Sequence, residues 1–255
     1  MESLVKAADT LGVTLDDLQQ AAFRRYFELL EEGGGRANLT GAHGWERVRD
    51  ELFVRSLRVL TPAPGGFTST AAWFDGRRVI DVGTGAGIPG LVLKLALPGM
   101  RLTLIDAARK RCDFLQWAVG ELELRDVEVV HGRAEDLARD TQHREAYELV
   151  LARAVAQLPE LAELTLPFAS LGGTVIAAKG PDISEEIAES EWAASQLGAL
   201  PAISQAVTKP GPTPADTLVY WFKVQPTPDR FPRRAGIPHS NPLLPGGSKH
   251  RSSTV

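Results

Sequence analysis

The sequence predicts an α/β protein: a mostly parallel sheet of seven strands, the last running antiparallel, behind an N-terminal helical cap. Short apolar runs at 78–82, 101–105, 126–130, 147–151 and 172–178 alternate with helical or turn-rich segments, the signature of a parallel sheet. Two further runs, 202–208 and 217–224, have too little chain between them for a parallel crossover and form a hairpin. VIDVGTGAGIPG at 79–90 reads as a strand ending in an acid, a glycine loop and a proline-started helix.

Four segments follow from the order of these signals: a helical cap at 1–60, a connector at 61–77, the sheet-bearing domain at 78–224 and a proline-rich tail at 225–255. In the cap, Thr14 and Asp17 mark a helix start, and Leu15, Leu18, Ala22, Tyr26, Leu29 and Leu30 recur at helical spacing as a core-facing stripe. Gly33 to Gly35 are expected to end that helix, and a second one over 45–60 carries Val48, Leu52, Leu57 and Leu60. The connector is rich in Pro, Gly, Ser and Thr, with Phe67, Trp73 and Phe74 available to dock it. Six prolines between Pro226 and Pro245 predict a tail that packs as extended chain and then frays, without a regular element.

At 255 residues and 44% apolar the chain is long enough for a full core. There is no apolar run of about 18 residues to span a bilayer and no basic-then-apolar leader, so a cytoplasmic protein without a membrane partner is expected. The single Cys112, in a helical segment, excludes an intrachain disulfide and a cysteine-based zinc site; a packed thiol and no metal are expected. A net charge of −4 argues against indiscriminate nucleic-acid binding. Local basic clusters remain at Arg24-Arg25, Arg77-Arg78, Arg109-Lys110-Arg111, Arg233-Arg234 and Lys249-His250-Arg251, and converged on one face they would track phosphates.

Gly83, Gly85 and Gly87 let the backbone approach a ligand. Gly85 to Gly90 is also a GxGxxG, and Asp106 lies at the offset of a ribose-binding acid, so spacing alone does not separate NAD from S-adenosylmethionine. Charge separates them. Asp81 at the strand tip would repel a pyrophosphate and Pro89 removes a helix N–H donor, whereas the ammonium and sulfonium of S-adenosylmethionine are attracted by a carboxylate.

Ligands of open α/β sheets lie outside the carboxyl ends of the strands. Those ends carry Asp81, then Asp106, then Arg133-Ala134-Glu135, then Arg153, then Lys179-Gly180. Asp106 suits ribose hydroxyls, and the Ala134 backbone with Glu135 suits an adenine ring or its amino group. Arg153 offers a forked donor pair for a guanine edge or a methionine carboxylate, and Lys179 is a second catalytic candidate.

With these residues stand further motifs: NLT at 38–40, KRCDFL at 110–115, LARAVAQL at 151–158, GGTVIAAKG at 172–180 and FPRRAGIPHSNPL at 231–243. Together they closely resemble the RsmG (GidB) family of bacterial small-subunit ribosomal RNA methyltransferases. The resemblance is dense over 78–180 and thinner on both sides. It implies a Rossmann-like class I methyltransferase sheet of seven strands, S-adenosyl-L-methionine as donor, and N7 of a guanine in 16S ribosomal RNA as acceptor. It also implies cofactor positions at Gly83, Ile88, Ala134, Glu135 and Arg153. The chain departs from the family pattern at Leu52 and Arg55, where a His and an Asp usually stand.

Guanine N7 carries a lone pair and no proton, so in-line attack on a sulfonium methyl needs no general base. Positioning and electrostatics would carry the rate. Expected partners are 16S ribosomal RNA or the small subunit, with Arg109, Lys110, Arg111, Arg233 and Arg234 meeting phosphates, and a monomeric enzyme. An RNA-binding paralogue without turnover, or one methylating another RNA, would show salt-sensitive association with no 7-methylguanosine. An NAD-linked oxidoreductase would leave the RAE and ARA motifs unexplained.

Overall fold

Strand β1 (Arg78–Val82) is buried at every position after the first, as expected of a central strand covered on both faces. The computed structural model describes residues 1–37, 39–63 and 70–247. Around β1 lie β2 (Arg101–Asp106), β3 (Val127–His131), β4 (Tyr147–Arg153), β5 (Ala169–Lys179), β6 (Ile203–Val207) and β7 (Asp216–Phe222) in the order β3-β2-β1-β4-β5-β7-β6. The first five are parallel, and β7 is antiparallel to both β5 and β6. The order in which strands are added reverses between the parallel β1 and β4, so the crevice expected to take a ligand opens at the carboxyl ends of these strands.

Alternate residues of each strand feed two cores. Val79, Leu104, Leu149, Leu151 and Ile176 face the helices Gly90–Ala96 and Arg109–Glu121 together with the N-terminal helices, so the residues of the cap share one apolar core with the sheet. Ile80, Val82, Val150, Val175 and Ala177 face the helices Leu158–Thr165 and Ser184–Gln196. Cys112 is buried in the Arg109–Glu121 helix as a free thiol.

Several expectations need correction. A helix at Glu2–Thr10 precedes the predicted one, which spans Asp17–Ala37 and runs through Gly33. Glycine there is helical, and a Cβ would lie 2.6 Å from the Phe114 ring, so its role is to permit close packing and not to stop the helix. The start is capped by Asp16, not Thr14: Gln19 N donates to Asp16 Oδ1 at 2.8 Å and Asp16 N to Gln19 Oε1 at 2.9 Å, a reciprocal capping box. Leu18, at the second helical position, is 81% exposed.

Residues 45–60 are helical but not one α-helix. They pass through Trp45–Arg47, a π-helical stretch Val48–Val54, Arg55–Leu57 and a 3₁₀ turn Arg58–Leu60. In the tail a regular element does occur, a helical turn at Ile237–Ser240, while the chain kinks at Gly246, which has φ of +71°. Phe74 ends a short helix, Thr70–Phe74, and is fully buried. Asn38, Phe67 and the Lys249-His250-Arg251 cluster lie outside the described residues. No helix among the described residues is long and apolar enough to cross a membrane.

Candidate functional site

The glycine loop after β1 is tied to its neighbour strand by backbone bonds, Gly83 N and Thr84 N both donating to Ile105 O at 2.9 and 3.1 Å. Asp81 braces it from beneath. Its Oδ2 accepts from Thr84 Oγ1 at 2.6 Å and from Gly90 N at 2.8 Å, so one carboxylate oxygen fixes both the loop and the start of the Gly90–Ala96 helix. Its other oxygen, Oδ1, is buried without a hydrogen-bond partner among the described residues. Burial raises the Asp81 pKa to about 7; the Thr84 and Gly90 hydrogen bonds and the Arg153 charge oppose that rise, and Asp106 adds to it.

Beside the loop a cleft opens, lined by Gly83, Asp106, Ala107, Ala134 and Glu135, with Val155 and Leu164 among its apolar walls. The strand ends that the sequence singled out on β1, β2 and β3 therefore do meet in one cavity. Asp106 ends β2 and accepts Gly85 N at 2.9 Å and Arg111 Nη1 at 3.5 Å on Oδ2 and Ala108 N at 2.8 Å on Oδ1, which leaves a lone pair on Oδ1. Glu135, nearly fully buried, opens the short helix Ala134–Leu137 and accepts Gly236 N at 2.9 Å on Oε1. Gly83 has φ of +66°, and a Cβ there would stand 3.0 Å from Val155 Cγ2, so a side chain would fill the space between loop and wall.

A neutral apolar body with hydroxyl and amino edges fits this cavity, because the two carboxylates offer acceptors while the walls are hydrocarbon. An adenosine group meets that description. A pyrophosphate does not, since Asp106 and Glu135 would face it. Asp81 does not line the cleft but sits fully buried under the loop, and Gly87 is also buried, closed over by Leu91 and Tyr26. Ile88 is half-buried and packs on the helix-side core.

Arg153 ends β4. Its Nη2 donates to Glu51 O at 2.7 Å and its Nη1 to Ser56 Oγ at 3.3 Å, and among the described residues it has no carboxylate partner. Burial, then the neighbouring Arg55 charge, lower its pKa to about 10, while Asp216 and Asp81 pull it back up. It remains a cation at neutral pH with only neutral acceptors. Arg55, one of the departures from the family pattern, is paired with Asp216, which also accepts Arg58 Nη1 at 2.7 Å. Leu52 is half-buried and packs on the helix-side core.

Two sequence assignments change. Lys179, at the end of β5, donates to Ala156 O at 2.9 Å and pairs with Glu186 at 2.8 Å, while Glu186 also accepts Leu158 N at 3.0 Å. Its ammonium pins the loop that carries Val155 and is not presented to the cleft as a catalytic group. Arg233 is spent on Glu163, with Nη2 to Oε2 at 2.6 Å, and so is not a free phosphate contact.

Arg109 and Lys110 are exposed at the start of their helix, just past cleft residue Ala107, whereas Arg111 leans toward Asp106 at 3.5 Å. Arg234 is exposed two residues before Gly236. Sequence reasoning missed Val155, Leu164, Thr84, Glu163 and Gly236. Val155 and Gly236 lie within the LARAVAQL and FPRRAGIPHSNPL motifs, but nothing in their spacing indicates that the one lines the cleft and the other bonds its Glu135.

A model of the rRNA small subunit methyltransferase G family (GidB) matches residues 19–210. A ribosomal RNA small subunit methyltransferase G of Roseiflexus castenholzii is 40% identical over 245 residues, covering 96% of this chain and 100% of the relative. Its counterpart from Leuconostoc citreum is 37% identical over 244 residues, covering 95% and 99%. Among solved structures, an O-methyltransferase from Bacillus cereus in complex with SAH is similar with a TM-score of 0.53 at 16% identity, over 78% of this chain and 91% of that one. That likeness is one of fold.

Proposed function

Because the chain belongs to the rRNA small subunit methyltransferase G (GidB) family, we propose that it methylates N7 of a guanine in 16S ribosomal RNA. It is an S-adenosylmethionine-dependent rRNA methyltransferase, and the finer reading concerns target atom and residue roles. The observation that carries it is the cleft at the ends of β1, β2 and β3, where two carboxylates and apolar walls surround a space suited to adenosine.

In this reading Asp106 accepts from the ribose hydroxyls, and the Ala134 backbone with Glu135 addresses the adenine. Gly83 and Gly85 bring the loop backbone close to the ligand. When bound, S-adenosylmethionine supplies an electrophilic methyl group on a positively charged sulfur. Asp81 contributes a negative field from beneath the loop, and Arg153 holds either a carboxylate or the acceptor's edge through the N–H groups not given to Glu51 and Ser56. Guanine N7 has no proton to lose, so no side chain serves as general base. Arg109 and Lys110 at the rim meet phosphates of the RNA.

The test is the pH dependence of the single-turnover rate at saturating donor and rRNA. A rate flat from about pH 6 to about pH 9 agrees with a base-free transfer. A rate rising tenfold per pH unit would place a titrating base on the path and contradict the N7 assignment.

A further inference from the structure

The FPRRAGIPHSNPL segment has no part in the reading above, yet it is fastened beside the cleft at Glu135. Arg233 N donates to Glu163 Oε1 at 2.6 Å, and the guanidinium grips the same carboxylate through Nε at 3.0 Å and Nη2 at 2.6 Å. Glu163 is fully buried on the Leu158–Thr165 helix, whose next residue, Leu164, lines the cleft. Upstream, Arg139 Nη2 holds Pro232 O at 2.6 Å and Arg144 Nη1 holds Phe231 O at 2.8 Å. Three residues after Arg233, Gly236 takes φ of +84° and turns its N–H onto Glu135 Oε1. Oε1 also accepts Arg133 Nη2 at 3.4 Å, and among the described residues Oε2 accepts no hydrogen bond, so strap and Arg133 share one oxygen of a cleft carboxylate and leave the other.

We propose that Arg233 is a positioning residue for the donor cleft: its grip on Glu163 sets the strap so that Gly236 holds the Glu135 carboxylate with Oε2 toward the ligand. The inference rests on the cleft being the donor site. Glu135 Oε1 is fixed by Gly236 N and, at 3.4 Å, by Arg133 Nη2. Losing the Arg233 guanidinium leaves Glu163 only the Arg233 N–H among the described residues and loosens the strap between its Pro232 anchor and Gly236. Strap order and donor affinity are thereby coupled, and the coupling is reciprocal.

Two measurements test this on the full-length protein. In the wild type, S-adenosylhomocysteine should slow amide hydrogen exchange across residues 231–240. In steady-state assays, Arg233→Ala should raise the KM for S-adenosylmethionine about tenfold, within the usual range of such couplings. The kcat at saturating donor should stay within about threefold and the KM for rRNA unchanged, a split that general destabilisation does not produce. Arg233→Lys, which keeps the charge and loses the fork, should fall between the two.

The inference is overturned if S-adenosylhomocysteine binds by calorimetry while exchange over the strap is unchanged. It also fails if Arg233→Ala raises the KM for rRNA alone, which would return Arg233 to the phosphate role. Should Arg233→Ala not fold, the wild-type exchange and the lysine variant decide. Absence of S-adenosylhomocysteine binding to the wild type would sink the donor-site reading first, and this inference with it.

Discussion

Asp81 titrates near 7 because burial penalises its charge more than Thr84, Gly90 and Arg153 relieve it. The folded pKa lies above the unfolded value, so from about pH 4 to about pH 7 the folded protein holds a proton that the unfolded chain has lost. This group therefore lowers stability as pH rises through that window, and Asp81→Asn should flatten that part of the stability profile in urea titrations. A cationic donor favours the ionised form, so S-adenosylmethionine affinity should tighten severalfold from about pH 6 to about pH 8. Calorimetry on Asp81→Asn should show the dependence gone.

Arg153 is a half-buried cation satisfied only by neutral acceptors. Arg153→Ala should lower kcat/KM by about tenfold to a hundredfold, the usual loss for a hydrogen bond to a charged group. Wild-type kinetics and donor affinity in that variant would remove Arg153 from the site. Asp106, Glu135 and Arg153 were legible because each stands at a strand's carboxyl end, which topology alone makes significant. The commitment of Arg233 to Glu163 was not legible because it joins residues far apart in sequence, and that of Lys179 to Glu186 because it depends on how the chain turns from β5 into the Ser184–Gln196 helix.

At the scale of elements, the 3₁₀ turn Arg58–Leu60 and the β6–β7 connection are knit by one guanidinium. Fully buried Arg58 donates to Pro210 O at 3.0 Å, Pro214 O at 2.7 Å, Thr213 O at 3.1 Å and Thr208 O at 3.2 Å, besides Asp216. Burial pushes the Asp216 pKa up, but the hydrogen bonds from Arg55 and Arg58 outweigh it and hold the carboxyl below its ordinary range. Asp216→Ala leaves a buried cation without its anion and should destabilise by about 3 to 5 kcal/mol, read as a lower urea midpoint with unchanged slope.

The strands were readable from apolar runs with turn signals between them, and the observed starts and ends shift by only a few residues, most at β5, which begins at Ala169. The helical ends were less readable. Gly33 looks like a stop until its contact with Phe114 is known, and the π-helical stretch Val48–Val54 has the same apolar spacing over two turns as an ordinary helix. The tail's short helix escaped because its prolines argued against regular structure, although Pro238 sits in the first turn, where its missing N–H costs nothing.

The molecule as a whole carries a net charge of −4 and acts on a polyanion, so association depends on where its cations stand. Arg109, Lys110 and Arg234 are exposed near the cleft mouth, whereas Arg25 is drawn into pairs with Glu28, Glu32 and Glu121. Replacing Arg109 and Lys110 together by Ala should weaken binding to small ribosomal subunits. The slope of log K against log salt should fall by about one to two, one phosphate contact per side chain, while donor affinity is unchanged. An unchanged slope would place the RNA elsewhere. The N-terminal helices also reach the site, since Tyr26 donates to Ala86 O in the glycine loop at 2.5 Å and shares the sheet's core.

The most direct measurement is incubation with methyl-labelled S-adenosylmethionine and small ribosomal subunits from cells lacking this activity, followed by nuclease digestion and identification of the labelled nucleoside. The account predicts label in 7-methylguanosine. Label in any other nucleoside, or none from a protein that binds S-adenosylhomocysteine, would contradict it.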